Sequence, residues 1–239
     1  MKYGGKNLKD LYLAESNRYM EYRGVKIEWL HHNCFRITGK TKVIYTDPYK
    51  ITGNYNDADL VLITHDHYDH LDPDSLKKVL SESSEIIAPT DCKEKLAQFS
   101  NRKILVVPFE VKIVDDVTVK TVPSYNTNKF RSGKEVFHPL QKGNVGYVFI
   151  VDGVRFYIAG DTDFIKEMKD IKTDVALLPV SGVYVMTYDE AAEAAITIGA
   201  ALTIPAHYGS GIGTAKEAEE FKKLLGDRLK VEILKSSEK

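Results

Sequence analysis

Residues 58–75 read ADLVLITHDHYDHLDPDS. The stretch over 58–64 is centred on a continuous apolar run of strand length. Asp72-Pro73-Asp74-Ser75 opens a helix, with Asp72 as N-cap and Pro73 at the first helical position, where a missing N–H costs nothing. Between strand and helix stand His65, His67, Asp69 and His70, four ligand-type residues in six positions of a short loop held at both ends. Divalent zinc takes neutral imidazole and carboxylate ligands at about 2.0–2.2 Å. His65 and His67, two apart in an extended loop, can point to one side, and Asp69 and His70 to a second position. A single loop could therefore serve two metals.

Outward from this loop the chain shows no linker, low-complexity tract or short-period repeat, which predicts one domain over 1–239 with an N-terminal extension over 1–24 that is helical or frayed. VKIEWL, CFRITG and KVIYTD predict consecutive short strands. EIIAP and KILVVP predict strands flanking a helix over DCKEKLAQFS. VKIV, DVTVKTV, VGYVFIV and VRFYIAG predict a β-rich middle, with hairpin turns at Asp115-Asp116 and Asp152-Gly153. DVALLPV predicts a strand, YDEAAEAAITIGA a helix, LTIPAH a strand, TAKEAEEFKKLLG a helix capped by Gly226, and KVEIL a closing strand. The pattern is β-hairpins followed by strand–helix units, twice over, and buried strands covered by amphipathic helices imply a layered α/β sandwich. Strand order is not fixed by it.

All seven histidines (His31, His32, His65, His67, His70, His138 and His207) fall at predicted strand ends or in loops. Asp161 follows VRFYIAG and His207 follows LTIPA, so both share the placement of the His65 loop at the carboxyl end of a buried strand, where open α/β sheets carry their ligands. Asp47 ends KVIYTDP in the same manner. A metal-bound histidine usually donates its other ring N–H to a carboxylate, and Asp47 is a candidate for that supporting role rather than a ligand.

THDHYDHLD, then GDT, then the histidine closing IPAHYG, each after a strand, resemble the metallo-β-lactamase superfamily over about Ile27 to Tyr208. WLHHNCFRI, TDPY, VGYVF, YIAGDTD, VALLPV and TYDEAA further resemble its small single-domain branch of ascorbate-6-phosphate lactonase-like and N-acylphosphatidylethanolamine phospholipase-like hydrolases. The resemblance implies a four-layer αββα sandwich. It implies one metal on His65, His67 and a third histidine, a second on Asp69, His70 and His207, and Asp161 bridging. Relatives often carry the third histidine near Tyr125-Asn126, where this chain has none. His138 is the only histidine left in the right stretch. Failing it, Asn126 or water would complete a weaker first site, with one ion bound. His32 stands where relatives carry a Gly-His pair, with His31 in the glycine position, and is a candidate for the substrate pocket, the alternative being a surface or supporting histidine. Tyr125, Asn126 and Tyr184 are further pocket candidates, and Met186 and Thr187 lie in the same loop as Tyr184, with packing the alternative for Met186.

Two divalent ions about 3.5–4 Å apart can share a hydroxide, because coordination lowers the pKa of water from 15.7 towards about 7. Asp69 would orient that nucleophile and pass its proton to the leaving group. No Gly-x-Ser-x-Gly elbow, Walker loop or dinucleotide fingerprint competes. The expectation is a metal-dependent hydrolase cutting an ester, lactone or phosphodiester of a small molecule with two Zn2+ ions, or one, with Mn2+ or another divalent metal as the alternative. A nuclease, and a redox or regulatory metal protein, are the competing classes. A net charge of −1 gives no electrostatic footprint for nucleic acid. The two cysteines make no disulfide scaffold, the N-terminal residues lack the apolar core of a signal peptide, and no run approaches the roughly 20 apolar residues of a membrane span. A cytoplasmic, soluble protein without membrane partners is expected, with homo-oligomerisation left open.

Overall fold

The computed structural model describes residues 18–209 and 211–238. The first sheet runs, in spatial as in chain order, through β1 (Tyr19–Tyr22), β2 (Val25–His31), β3 (Cys34–Thr38), β4 (Val43–Thr46), β5 (Ala58–Leu62), β6 (Leu80–Pro89) and β7 (Arg102–Val106). Helix α1 (Pro73–Val79) follows β5 and the single turn α2 (Lys93–Leu96) follows β6. In the second sheet β8 (Val111–Val114), β9 (Val117–Pro123), β12 (Val145–Val151), β13 (Val154–Ile158), β14 (Val175–Pro179) and β15 (Leu202–Ala206) are neighbours in that order. The short hairpin β10 (Phe130–Ser132) and β11 (Glu135–Val136) stands apart, and α3 (Tyr188–Ile198) and α4 (Ala215–Leu225) complete the elements that matter here.

Period-2 alternation sorts the first sheet's side chains between two cores. Ile44, Leu60, Leu62 and Ile87 face the second sheet, while Tyr45, Val61, Ile63, Ile86 and Ala88 face Leu76 and Val79 of α1 and Leu96 of α2. The core between the sheets continues through the second sheet to Ala191, Ala194 and Ala195 of α3 and Phe221 and Leu225 of α4. The layers are therefore helix, sheet, sheet, helix, the αββα sandwich. The buried Tyr147 hydroxyl donates to the carbonyl of Ile63 at 2.6 Å, and the Val145 N–H donates to the Thr64 carbonyl at 3.1 Å, so the two sheets are pinned together just below the His65 loop.

Both sheets begin antiparallel and end parallel. β4, β5, β6 and β7 are parallel in one, and β13, β14 and β15 in the other. The carboxyl ends of these strands open on the same edge of the sandwich. Asp72 caps α1 by accepting from the Asp74 N–H, and Thr187 and Thr214 make capping boxes with Glu190 and Glu217. Asp115, Asp152 and Gly153 take positive φ in the two expected hairpin turns.

Three expectations need correction. Residues 1–17 of the expected N-terminal extension lie outside the described residues, but Tyr19–Tyr22 is a strand paired antiparallel to residues 25–28 of β2, from Tyr19↔Glu28 to Tyr22↔Val25. The helix expected over 91–100 is a 3-10 turn at Thr90–Cys92 followed by four helical residues, too short to present a full apolar face. KVEIL is not a strand of either sheet. Only Val231 bridges to Thr203, because the C-terminal segment turns away to bind the β2 end through the Ser237 and Glu238 N–H groups. Among the described residues no helix is long and apolar enough to cross a membrane.

Candidate metal centre

Asp47, the loop 65–70, Asp161 and His207 each leave the carboxyl end of a parallel strand, and the sandwich brings all of them to one point. Gly160 permits this on the second sheet. It has φ +67°, and a Cβ there would lie 3.0 Å from the Thr64 Cβ and 3.1 Å from the Ser124 Oγ. Glycine alone lets the Asp161 backbone pass this close to the His65 loop. His32, Asp47, Tyr184 and His207 also adopt positive φ around the centre. For side-chain-bearing residues this costs on the order of 1–3 kcal/mol each and persists where the surroundings enforce it.

Behind the centre, hydrogen bonds set which nitrogen each imidazole presents. The Asp47 carboxylate accepts from the Thr64 N–H (2.7 Å), the Thr64 hydroxyl (2.7 Å), the Asn33 amide (2.6 Å) and His70 Nδ1 (2.8 Å). Since the Thr64 hydroxyl donates to Asp47, its oxygen accepts from His65 Nδ1 at 3.0 Å. The Asn126 amide donates to Asp163 Oδ1 at 2.9 Å and to the Tyr184 carbonyl at 2.8 Å, so its oxygen faces His138 Nδ1 at 2.8 Å. The Ser181 hydroxyl donates to the Val183 carbonyl at 3.5 Å, which leaves its oxygen to accept from His207 Nδ1 at 3.2 Å. In His65, His70, His138 and His207 the proton thus sits on Nδ1 and the lone pair of Nε2 points inward.

Those inward atoms converge. Asp161 Oδ1 is 3.1 Å from His70 Nε2 and 3.0 Å from His207 Nε2. Its Oδ2 is 3.5 Å from His138 Nε2 and 3.9 Å from His65 Nε2. His138 Nε2 lies 3.3 Å from His67 Nδ1. Asp69 Oδ2 is 4.0 Å from His70 Nε2 and 3.2 Å from His32 Nε2. The donor atoms of His65, His67 and His138 lie within 4.8 Å of one another, as do those of His32, Asp69, His70 and His207, and those of His65, His70 and Asp161. Despite this proximity the Nε2 atoms of His32, His65, His70 and His207, and Asp161 Oδ1, are buried without a hydrogen-bond partner. Native proteins rarely leave such atoms orphaned, and a bound ion is one of the few things that satisfies several at once. The donor set, imidazole nitrogen with carboxylate oxygen, suits a divalent transition metal.

The charges agree. Burial holds the His65 imidazole well below its ordinary 6.5, lowers His67, and brings His138 down to about 4 against the pull of Asp161. All three are neutral at pH 7, as metal binding requires. Burial raises the Asp161 carboxyl, but His207 and His70 outweigh it and hold it well below the carboxylate range. Burial likewise raises Asp69, and His32 and His70 bring it down to about 2. His70 is the exception: burial lowers it, yet Asp161 and Asp47 on its two sides push it well above 6.5. Buried carboxylates demand positive charge between them, which a proton on His70 or a divalent ion can supply.

A cavity of about 390 Å³ opens over the centre, lined by His67, Tyr68, Asp69, His138, Asp161 and Tyr184, together with Arg131, Phe137 and Ile212. Of the expected pocket residues, Tyr184 lines it. The others do not. Tyr125 turns its hydroxyl to Glu167 at 3.1 Å. Asn126 is consumed in holding His138. His32 is fully buried beneath the cavity, its ring against His207 at 4.0 Å between centroids. Met186 is buried in the main core and Thr187 caps α3.

Sequence reading missed Thr64, Asn33, Ser181, Asp163 and Arg131. Thr64 and Asn33 adjoin residues already singled out, and Asp163 closes the GDTD turn, so a search of immediate neighbours would have reached them. Ser181 and Arg131 carry no local signal. The Arg131 guanidinium lies 5.7 Å from the Phe137 ring centroid, and Phe137 packs edge-on against Tyr184 at 4.5 Å.

Comparison with known proteins shows the family. Residues 26–207 match the family model of the β-lactamase superfamily domain. The chain is 35% identical over 233 residues to a UPF0173 metal-dependent hydrolase of Thermococcus onnurineus, and 33% identical over 231 residues to one of Pyrococcus abyssi. Each alignment covers 90% of this chain and 98% of the relative. The crystal structure of a provisionally assigned metal-dependent hydrolase from Parabacteroides distasonis superposes with a TM-score of 0.76 at 30% identity, covering 93% of this chain and 99% of that one.

Proposed function

The chain belongs to the UPF0173 metal-dependent hydrolases of the β-lactamase superfamily, and from that premise we propose that it hydrolyses an ester, lactone or phosphodiester bond of a small substrate, using two zinc ions. His65, His67 and His138 would hold one ion and Asp69, His70 and His207 the other, with the Asp161 carboxylate facing both donor sets. The observation that carries this reading is the set of buried, partnerless Nε2 atoms around Asp161. When bound, such ions lower the pKa of coordinated water to about 7 and stabilise developing negative charge on the substrate.

The protein's own groups do the rest. Asp47, Thr64, Asn126 and Ser181 fix ring orientations before substrate arrives, so no reorganisation is needed during reaction. Asp69 is ionised at neutral pH and lies at the cavity wall, placed to hold the proton of an attacking water and return it to the leaving group. At about 390 Å³ the cavity is at the small end of ligand pockets, about 300–1,000 Å³. That favours a small molecule over a polymer, and the net charge of −1 points the same way. The two cysteines are unpaired and buried, in keeping with a reducing, cytoplasmic setting.

The test is metal analysis of the purified protein followed by a panel of lactone, ester and phosphodiester substrates, with fluorogenic RNA and single-stranded DNA alongside. The expected result is two equivalents of zinc and turnover of a small ester, lactone or phosphodiester, with turnover and one equivalent of zinc lost in His67→Ala and turnover lost in Asp69→Asn. Equal metal content and activity in wild type and variants would sink the reading, and turnover of RNA alone would move it to the nuclease class.

A further inference from the structure

His32 is the one imidazole of the cluster for which the two metal positions above have no use. It stands in the turn after β2 with φ +53°, a conformation few side-chain-bearing residues adopt. The turn is clamped through its carbonyl, which accepts from Trp29 Nε1 at 2.8 Å and from the His207 N–H at 2.9 Å. That clamp drives the ring inward. It is fully buried, its centroid 4.0 Å from that of the His207 ring, which is tilted to it by 44°, and 5.5 Å from that of the His70 ring, which it meets edge-on. Neither ring nitrogen has a hydrogen-bond partner. Nε2 comes within 3.2 Å of Asp69 Oδ2 but is not aligned with it as a hydrogen-bond donor.

A ring needed only for packing would be apolar, since a buried imidazole without partners forfeits its hydration for nothing. A ring needed only to hold Asp69 would aim its N–H at the carboxylate. His32 does neither. One donor atom each from His32, Asp69, His70 and His207 falls within a 4.8 Å group, the spacing of ligands around one ion.

We propose that His32 is a further protein ligand, through Nε2, of the divalent ion held by Asp69, His70 and His207. The inference rests on the two-metal reading above and deepens it. With Asp161 shared, the second position gathers three imidazoles and two carboxylates, against three imidazoles and one carboxylate at the first. The two positions are then chemically unequal. Five protein donors exceed the four that zinc usually takes, so beside zinc the second position would also admit an ion of higher coordination number such as Mn2+.

Cobalt titration of the full-length metal-free protein tests this, with His32→Gln and His32→Phe as variants. Binding constants are read by competition with a chelator. Ring N–H resonances shifted by the bound cobalt are read by NMR, one for each liganding imidazole whose other nitrogen is protonated. Circular dichroism confirms folding, and Gln, a polar side chain of similar length, serves where Phe does not fold. The expected result is that wild type binds two ions. In both variants the second ion binds more than about 100-fold more weakly, beyond the 10–100-fold typical of lost supporting contacts, and one shifted resonance disappears. If wild type binds two ions while His32→Gln keeps the affinity and every shifted resonance, this inference alone is overturned. If wild type takes up no second ion, the two-metal reading falls and this inference with it.

Discussion

Asn126 holds His138 at two points: its side-chain oxygen accepts from the His138 backbone N–H at 3.0 Å and from Nδ1 at 2.8 Å. The relationship settles which way His138 faces, and it explains why the position expected to carry a histidine can carry an asparagine instead. Asn126 does not substitute for the ligand. It orients His138, the candidate ligand, and Asp163 and the Tyr184 carbonyl orient Asn126.

Asn126→Ala should therefore leave the fold in place and weaken the ion held by His65, His67 and His138 by about 10–100-fold, the usual cost of losing a partner behind a metal ligand. Zinc affinity measured against a chelator, with the other position as internal reference, checks it. Unchanged affinity would show that His138 orients without help.

Gly160→Ala places a methyl group 3.0 Å from the Thr64 Cβ in a backbone conformation of φ +67°. The left-handed conformation alone costs about 1–2 kcal/mol for an L-residue, and relief of the contact must shift Asp161 away from the His65 loop. Lower stability in denaturant together with loss of bound metal is expected. Full metal retention would mean that Asp161 is positioned independently of this approach.

Metal removal should lower thermal stability steeply. An ion present at 1,000 times its Kd contributes about 4 kcal/mol to the folded state, and a domain of this size shifts by about 2–4 °C per kcal/mol. A drop of roughly 8–16 °C for each ion stripped follows. Scanning calorimetry with and without a chelator gives the answer, and a shift below about 2 °C would argue against tight binding.

The metal-free protein should lose stability as pH falls from about 6.5 towards 4. Burial brings His138 down to about 4, and burial with His207 beside it brings His32 down to about 3. Unfolded imidazoles take their proton near 6.5. Within that window the unfolded chain binds more protons, so acid favours it. His70 has the opposite shift, so its contribution is complete below the unfolded value and is lost only as pH rises through its folded one. Asp69, at about 2, matters only below the unfolded carboxylate value near 3.9. Denaturant midpoints at pH 7, 6 and 5 should fall in that order, and a flat series would contradict the buried neutral histidines.

The architecture was legible because its signals are local. The apolar run before His65, the Asp72-Pro73 helix start and the Asp152-Gly153 turn each act within a few residues, and the repeat of hairpins followed by strand–helix units is visible along the chain. Two elements escaped that reading. Tyr19–Tyr22 is an edge strand because Arg23 and Gly24, both at positive φ, turn it back onto β2, and KVEIL is not a strand of either sheet because the segment after it is drawn to the distant end of β2 through the Ser237 and Glu238 N–H groups.

By itself the sequence determined that a loop dense in ligand-type residues follows a buried strand, that Asp161 and His207 sit at matching strand ends, and that Asp47 stands behind them. These follow from residue type and periodicity. Only the tertiary structure decided how His138 reaches the group, that Asn126 and Tyr125 stay out of the cavity, and that His32 is turned into the donor cluster. Each depends on contacts between residues far apart in the chain: Asn126 with Asp163 of the other loop, and His32 with the His207 backbone across the two sheets. Such contacts leave no spacing or composition to read, because direction in space is set by packing and not by order along the chain.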